Sequence, residues 1–388
     1  MSNKNNQIES RPGNINQVTL KIKIEQNDIN NNIYFLDNTD NEYYENGKYT
    51  KHNHDNLSEI NENNTTLIID GETVPFKKYF IPTKNQIYVI KVLFKNKLSD
   101  CAYMFCNCKN IIDIDFSKFV TENVTNMKYM FYKCSFLPIL DLSFFNTKKV
   151  SNMACMFSEC SSLTTLNLCS FNTENVTTMY KMFFECSSLI TLNLKSFNTE
   201  KVTNMSGMFL GCNSLKTLDL NSFNTQKVTD MSIMFYKCQF LTSINLTSFN
   251  TENVCSMFKM FCECKSLNKL DLKYFNTQKV TNMDYMFDNC TTLPKVNLSS
   301  FNTENVTSMY KMFSECYSLN KLDLKSFNTK NVDNMDYMFN DCISLTVLNL
   351  SSFNLKSRVR AFRVFDNCLN LNKRVIEYFN NKKKNQIA

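Results

Sequence analysis

The chain has 388 residues, of which 43% are hydrophobic, with no tryptophan and only five glycines. This composition argues against a disordered chain and against the glycine-rich loops that hold nucleotide phosphates. The net charge of +7 is mild and reads as dispersed over the chain.

The N-terminal segment, residues 1–17, is polar and rich in asparagine, and it predicts a disordered start without a signal peptide. No later stretch reaches the ~18 apolar residues that a membrane span requires. The sequence therefore favours a cytoplasmic protein with no membrane span. Display at the cell surface by a non-classical route is the alternative.

Residues 18–97 predict a small β-rich domain. Val18, Leu20, Ile22 and Ile24 alternate with polar residues, which is typical of a strand with one buried face. Further strands are expected at residues 33–36, 67–69 and 87–94, and Asp70 with Gly71 forms a hairpin-turn dipeptide. The polar segment 37–64 is expected to be a long loop or a partly disordered insertion. This domain is interpreted as a cap on the following repeats, with a separate recognition module as the alternative.

Residues 98–371 carry a repeat with a period of 26 residues, marked by a cysteine in constant phase. Repetition in strict phase, with no insertion, predicts one supersecondary unit stacked about ten times as a solenoid. The periodic cysteines are Cys108, Cys134, Cys160, Cys186, Cys212, Cys238, Cys264, Cys290, Cys316, Cys342 and Cys368.

Each unit combines two periodicities. Leu192 and Leu194 are two residues apart, which predicts a short strand with both leucines on one face. An i, i+3, i+4, i+7 apolar stripe predicts a two-turn helix, preceded in most copies by a Thr or Ser suited to an N-cap; in one copy the stripe is Met205, Met208, Phe209 and Cys212. The expected fold class is therefore an α/β repeat solenoid with one short parallel strand and one short helix per coil.

The copies resemble the BspA-like leucine-rich-repeat family, whose repeat has the pattern Met-Phe-x-x-Cys-x-x-Leu-x-x-Leu-[Asp/Asn]-Leu-x-x-Phe-[Asn/Asp]-Thr. The match covers about residues 101–371. The resemblance implies a leucine-rich-repeat-like solenoid used for adhesion or protein binding, often at a cell surface. Members usually carry an export signal, and this chain departs from them there. No catalytic residues belong to the repeat, so none are carried over.

An enzymatic function is not expected. The only histidines, His52 and His54, lie in the polar segment, so the repeats contain no partner for a Ser-His or Cys-His pair. A zinc site at His52 and His54 is the alternative to an exposed loop, which is preferred because no paired cysteines lie nearby. The periodic cysteines are interpreted as buried, reduced core thiols, with disulfide or metal ligation as the alternative. No cofactor and no metal are expected.

The predicted strand surface is the main candidate for binding a protein partner. The position between the two strand leucines is always Asp or Asn, which indicates either a structural ladder or a ligand contact. Two residues earlier, the side chain changes from Thr or Ser to Lys along the chain, as expected of a graded binding surface. The candidate partner-binding residues are Thr191, Thr217, Lys269, Lys295, Lys321, Asp219, Asp271 and Asp323.

A second candidate surface is the helix-side ridge, defined as the variable position occupied by Tyr129, Lys181, Ile233, Lys259, Tyr285, Lys311 and Tyr337. Its Tyr and Lys could contact nucleic acid, but no base-reading motif accompanies them and nucleic acid is not expected as a partner. Residues 372–388 read as a basic C-terminal tail. For Lys382, Lys383 and Lys384, a solvated tail is preferred over a nuclear signal or a membrane patch.

The sequence thus predicts a non-enzymatic scaffold that binds a protein along the strand face. A surface-associated adhesin is the main alternative, and three Asn-Val-Thr sites, at Asn123, Asn175 and Asn305, would accept glycans if the chain were exported. The identity of the partner and the oligomeric state do not follow from the sequence.

Overall fold

The computed structural model describes residues 16–45 and 48–384. The predicted disordered N-terminus lies outside these ranges except for Asn16 and Gln17, which begin the first strand. The N-terminal part also contains a short 3-10 helix, Gln26–Asp28. Its strands are β1 Asn16–Lys23, β2 Ile33–Tyr34, β3 Asp40–Glu45, β4 Lys48–Asn53, β5 Thr65–Ile69, β6 Glu72–Val74, β7 Tyr79–Phe80 and β8 Ile87–Phe94.

The strands expected from apolar alternation are present. In β1, Val18, Leu20 and Ile22 are fully buried while the residues between them are at least partly exposed. The hairpin between β5 and β6 turns at Asp70 and Gly71, whose φ angles of 47° and 91° are the left-handed values that a two-residue hairpin turn requires.

The N-terminal sheet is joined directly to the first repeat. Its strand order is β6-β5-β8-β1-β9, where β9, Ile111–Asp115, is the strand of the first repeat. β1 pairs antiparallel with β8 on one side and with β9 on the other. The N-terminal strands therefore cover the hydrogen-bonding edge that the first repeat would otherwise expose.

The segment 37–64 is not the long loop that its polarity suggested, because β3 and β4 pair as an antiparallel hairpin within it. Its start is anchored by Asp37, which is fully buried. The Asp37 carboxylate accepts hydrogen bonds from the Asn56 backbone N–H (2.9 Å) and side-chain amide (3.0 Å) and pairs with Lys78 Nζ at 3.1 Å. Partners that come from 19 and 41 residues away in the sequence make a buried charge acceptable here.

The repeats pair with one another in parallel at a constant offset of 26 residues. Leu140 lies opposite Leu166, and Leu218 lies opposite Ile244. A second series of parallel bridges links every repeat to the next, from Asp100 and Asn126 to Asn334 and Arg360. The repeat strands are β10 Ile139–Asp141, β11 Thr165–Asn167, β12 Thr217–Asp219, β13 Ser243–Asn245, β14 Lys269–Leu270, β15 Lys321–Asp323 and β16 Val347–Asn349.

The periodic apolar residues form one continuous core, as their spacing predicted. Phe209 and Phe235 stack with ring centroids 5.7 Å apart and planes 4° from parallel. A second aromatic column runs beside the first, with Phe197 and Phe223 at 6.5 Å and 2°. Both columns continue through the repeats, so each ring between the ends of a column stacks on the equivalent rings of both neighbouring repeats.

The predicted two-turn helix is wrong. Residues 205–212 form consecutive turns, in which Met208 N–H donates to Met205 O at 3.1 Å. The N–H groups of Gly207 and Phe209 donate instead to carbonyls of the next repeat, Ser232 O (2.9 Å) and Met234 O (3.0 Å). Among the described residues of the repeats there is no α-helix, and the repeats are therefore built from strands and turns.

The expected N-caps are also wrong. Thr203 lies at the predicted cap position, but its N–H donates at 2.9 Å to Thr177 O of the preceding repeat, and its hydroxyl lies 3.3 Å from the same oxygen. Bonding between repeats is favoured over a helix of two turns, because so short a helix is marginal in water and leaves most of its terminal groups unpaired.

A further polar ladder runs through the core. The Thr173 hydroxyl accepts a hydrogen bond from Asn198 N–H at 2.8 Å and donates to Asn198 O at 2.7 Å. The Asn198 side chain accepts from Glu200 N–H at 3.0 Å, as expected for a turn-forming Asn. The Asn-Thr pair therefore forms a turn within one repeat and also binds the neighbouring repeat.

The chain continues from the last repeat into α1, Lys373–Lys384, in the segment interpreted from sequence as a basic tail. Phe379 is buried against Phe365, with ring centroids 5.2 Å apart. Lys382 Nζ donates to Phe353 O at 2.5 Å. This helix packs on the end of the stack opposite to the N-terminal sheet. Residues 385–388 lie outside the described part of the chain.

Candidate functional site: the strand face

The strand face is the surface formed by the outward side chains of β10 to β16 and the two repeats between them whose strands are less regular. Thr191, Thr217, Lys269, Lys295 and Lys321 are all exposed on it. Parallel pairing places Ser243 beside Lys269 and Lys295 beside Lys321. The structure thus brings the candidate residues into one row that crosses the repeats.

The Asp and Asn row beside it has a structural role that accounts for its composition. Asp219 Oδ1 accepts the N–H of Asn221 at 3.2 Å, and Asp271 Oδ1 accepts the N–H of Lys273 at 3.1 Å. A side-chain oxygen that accepts the N–H two residues later closes such a turn, which is a common role of Asp and Asn.

In the Asp/Asn row the second carboxylate oxygen remains at the surface. Asp271 Oδ2 lies 4.0 Å from Lys273 Nζ, and Asp323 Oδ2 lies 4.0 Å from Lys325 Nζ. Asp323 Oδ1 accepts the N–H of Lys325 at 3.1 Å and also a hydrogen bond from Asn349 Nδ2 at 2.9 Å. Each candidate carboxylate therefore closes a turn with one oxygen and presents the other to solvent.

Two shallow grooves divide the strand face. The groove over the earlier repeats has a volume of about 440 Å³ and is lined by Ile139, Thr165, Thr191, Thr217 and the adjacent Asp and Asn side chains. The groove over the later repeats is larger, about 720 Å³. Its floor is Leu270, Val296 and Leu322, and Lys269, Lys295 and Lys321 stand along it. The face is therefore hydroxyl-rich in one half and basic in the other.

The helix-side ridge lies on turns rather than on a helix, and its position has a left-handed backbone. The φ angle is 51° at Lys181, 53° at Ile233 and 58° at Tyr285. Lys259 Nζ lies 4.6 Å from the centroid of the Tyr285 ring and 5.2 Å from that of Phe258. Its lysines therefore contact aromatic rings of neighbouring residues and are less available to a partner than the strand-face lysines.

The periodic thiols are buried and form no disulfides, in agreement with the interpretation as core residues. Their sulfurs have a partner that the sequence did not reveal, the Phe carbonyl of the preceding repeat. Cys212 Sγ lies 3.1 Å from Phe183 O, and Cys238 Sγ lies 3.1 Å from Phe209 O. Burial raises the pKa of Cys238 to about 12, so this thiol is protonated at neutral pH. Cys169 and Cys255 are exposed.

No group of His, Cys, Asp and Glu side chains suited to a metal ion occurs among residues whose side chains are described. His54 is half-buried, with Nδ1 3.0 Å from Asp37 O and its ring stacked on Tyr34 at 4.1 Å. It is therefore part of the packing around Asp37. The side chain of His52 lies outside the described residues. No helix in the described ranges is long and apolar enough to cross a membrane.

The repeat region matches the model of one protein family. The model of DUF285, described as a Mycoplasma protein of unknown function, matches residues 99–217, 164–270, 187–293 and 268–379. These overlapping matches cover well over half of the chain. The chain belongs to the DUF285 family. The matched DUF285 region begins at the first repeat and ends within α1. None of the curated proteins compared with the chain matches it.

Three solved structures show limited similarity to this DUF285 chain. TLR13 in its complex with ssRNA13 is 19% identical, with a TM-score of 0.30 over 71% of this chain and 40% of the other. The functional domain of InlJ from Listeria monocytogenes, which includes a cysteine ladder, is 13% identical, with a TM-score of 0.19 over 67% of this chain and 64% of the other. The plant peptide hormone receptor RGFR1 in complex with RGF2 is 16% identical, with a TM-score of 0.20 over 61% of this chain and 52% of the other. The chain spans 40% to 64% of their lengths, and the repeat fold is supported by the pairing described above.

Proposed function

We propose that this DUF285 protein is a non-enzymatic scaffold with a leucine-rich-repeat-like solenoid that binds a protein partner along its strand face. The observation that carries this proposal is the row of three exposed lysines above an apolar floor. Lys269, Lys295 and Lys321 come from separate repeats, and Leu270, Val296 and Leu322 form the floor between them. An extended segment that crosses the repeats would contact the three lysines, above a floor whose Leu and Val side chains are themselves almost fully buried.

The charge pattern indicates the chemistry of that segment. The lysine half favours an acidic stretch, since opposite charges across an interface increase both specificity and association rate. The Thr half, from Thr165 to Thr217, offers hydroxyls and favours an uncharged polar stretch. The partner segment is thus expected to be acidic at the end that lies over the later repeats.

A glycosylated adhesin is less well supported. The nitrogen that a glycan would occupy is already used in two of the three Asn-Val-Thr sites. Asn175 Nδ2 donates to Lys148 O at 2.9 Å, and Asn305 Nδ2 donates to Gln278 O at 2.7 Å, in both cases across repeats. Attachment of a glycan would break these bonds, which favours the scaffold.

The test is capture of partners by the full chain and by a variant with Lys269→Glu, Lys295→Glu and Lys321→Glu. These side chains are exposed, so the variant is expected to fold, with stability changed by less than about 0.5 kcal/mol per site. Partner capture should fall, and the remaining binding should lose its dependence on salt.

The matched control reverses another row of three exposed lysines, at Lys149, Lys201 and Lys279, which hydrogen-bond Asn side chains of preceding repeats. Capture should survive this change. Loss of capture in a Lys259→Glu and Lys311→Glu variant, with retention in the strand-face variant, would place the partner on the helix-side ridge and refute the proposal.

A further inference from the structure

The positive charge of the chain is concentrated at one end. Residues 356–384 contain nine lysines and arginines but only two carboxylates, so their net charge of +7 equals that of the whole chain. The positive and negative residues of the rest of the chain are equal in number. The prediction that the net charge is dispersed over the chain is therefore wrong. The basic residues are Lys356, Arg358, Arg360, Arg363, Lys373, Arg374, Lys382, Lys383 and Lys384. We call the last repeat together with α1 the basic end.

Part of this charge is held by the fold, and part faces solvent. Arg360 pairs with the buried carboxylate of Asp336, and Lys382 donates to backbone carbonyls. Arg358, Lys373, Arg374 and Lys384 are exposed.

The basic end also exposes large apolar side chains. Leu369 is 78% exposed and Phe362 is 57% exposed. Phe362 lines a cavity of about 520 Å³ with Arg360, Arg363 and Lys383, so the last repeat and α1 both contribute to it. The Arg363 guanidinium lies 5.1 Å from the centroid of the Phe362 ring. Phe362 and basic groups are therefore adjacent on this surface.

We propose that the basic end docks on the surface of an anionic phospholipid bilayer. Lysines and arginines would contact the headgroups, and Phe362 and Leu369 would enter the interface between headgroups and acyl chains. Interfacial binding combines these two contributions, apolar burial and attraction to anionic lipid. The basic end lies at the terminus of the stack, so docking leaves the strand face free.

Nucleic acid also binds basic surfaces, but the rings here are unsuited to base stacking. Tyr337 packs edge-on against Tyr310 (87° between planes) and against Phe362 (83°), so these rings do not form a flat platform. Leu369 is aliphatic and offers nothing to a phosphate or a base. The exposed apolar groups therefore favour a lipid surface.

The experiment is sedimentation of the full chain with phosphatidylcholine vesicles that contain or lack phosphatidylserine, at low and high salt. Binding is expected only with phosphatidylserine and should weaken as salt rises. The variant Arg358→Gln, Lys373→Gln, Arg374→Gln and Lys384→Gln should bind at least ~100-fold more weakly, since each charge contributes roughly fivefold to partitioning.

The control variant changes four exposed lysines elsewhere, Lys118, Lys148, Lys227 and Lys265, to Gln and should bind as the parent does. A Phe362→Ser and Leu369→Ser variant should bind more weakly but keep its salt dependence. Circular dichroism verifies that each variant is folded.

Three outcomes would overturn the proposal. The first is no binding of the parent chain to phosphatidylserine vesicles at low salt. The second is tighter binding to a mixed-sequence DNA duplex, retained by the Phe362→Ser and Leu369→Ser variant. The third is loss of vesicle binding in the strand-face variant with Lys269→Glu, Lys295→Glu and Lys321→Glu, which would move the lipid contact to that face.

Discussion

The stacked phenylalanine column predicts how the cost of one substitution depends on its position along the repeats. Phe235 is fully buried, and its ring stacks on Phe209 at 5.7 Å and on Phe261 at 5.6 Å. Phe365 lies in the last repeat and is half-buried, with one stacked neighbour, Phe339 at 5.6 Å. Its other side meets the edge of Phe379 in α1.

Phe235→Ala removes a fully buried ring and leaves a cavity between two repeats. Such changes cost about 3–5 kcal/mol, and each lost aromatic pair adds about 0.5–1.5 kcal/mol beyond buried area. We therefore expect the free energy of unfolding to fall by about 4–5 kcal/mol, near the upper end of this range. Phe365→Ala loses one stacked pair and less burial, so about 2 kcal/mol is expected.

The assay is urea unfolding followed by circular dichroism and tyrosine fluorescence, since the chain contains no tryptophan. Native-state hydrogen exchange supplies the second readout, because repeat arrays can open locally. Phe235→Ala should lower protection in the repeats on both sides of residue 235, and Phe365→Ala only near the C-terminal end. Equal losses at the two sites, or a larger loss at Phe365, would refute the stacking argument.

Two further predictions concern titratable groups in the repeats. Burial raises the pKa of Asp288 to about 6 from 3.8, although Lys311 opposes the shift, so ionisation destabilises the folded state as the pH rises between these values. Asp288→Asn should therefore have an unfolding free energy up to about 3 kcal/mol above the parent at about pH 7, with the two converging below about pH 4 in urea titrations; a difference independent of pH would contradict this. A thiol reagent should label Cys169 and Cys255 rapidly in the native chain and the other cysteines only on unfolding, with no change in melting temperature on adding reductant. Rapid native labelling at Cys212, or a reductant-dependent melt, would show that the core thiols are accessible or bridged.

The parts of the fold that follow from the 26-residue period were predictable, and the local backbone was not. The period places each Phe side chain, such as that of Phe235, against the equivalent Phe of the neighbouring repeat, which predicts buried columns. The same-face spacing of Met205, Met208, Phe209 and Cys212 fits a helix, but a series of turns presents the same stripe. Left-handed φ angles distinguish the two, and residues such as Ile233 at 53° give no sequence signal of them.

The candidate site was likewise predictable only in part. Alternation within the strands was sufficient to place Lys269, Lys295 and Lys321 on one outward row. The sequence did not decide between a structural and a ligand-binding role for Asp219. Its partner is a backbone N–H, which every residue except proline carries, so the residue types do not reveal the turn. The anchoring of Asp37 by Lys78 depends on a contact across 41 residues, which local periodicity cannot predict.

Both ends of the repeat stack are covered, and this has a consequence for self-association. β1 occupies the open edge of β9 at one end, and α1 packs on the last repeat at the other. Uncovered repeats would present unpaired backbone groups and an aromatic column that fit a second copy in register, so assembly would continue without closure into fibres. We therefore expect that removing either end structure would promote end-to-end association of the chain.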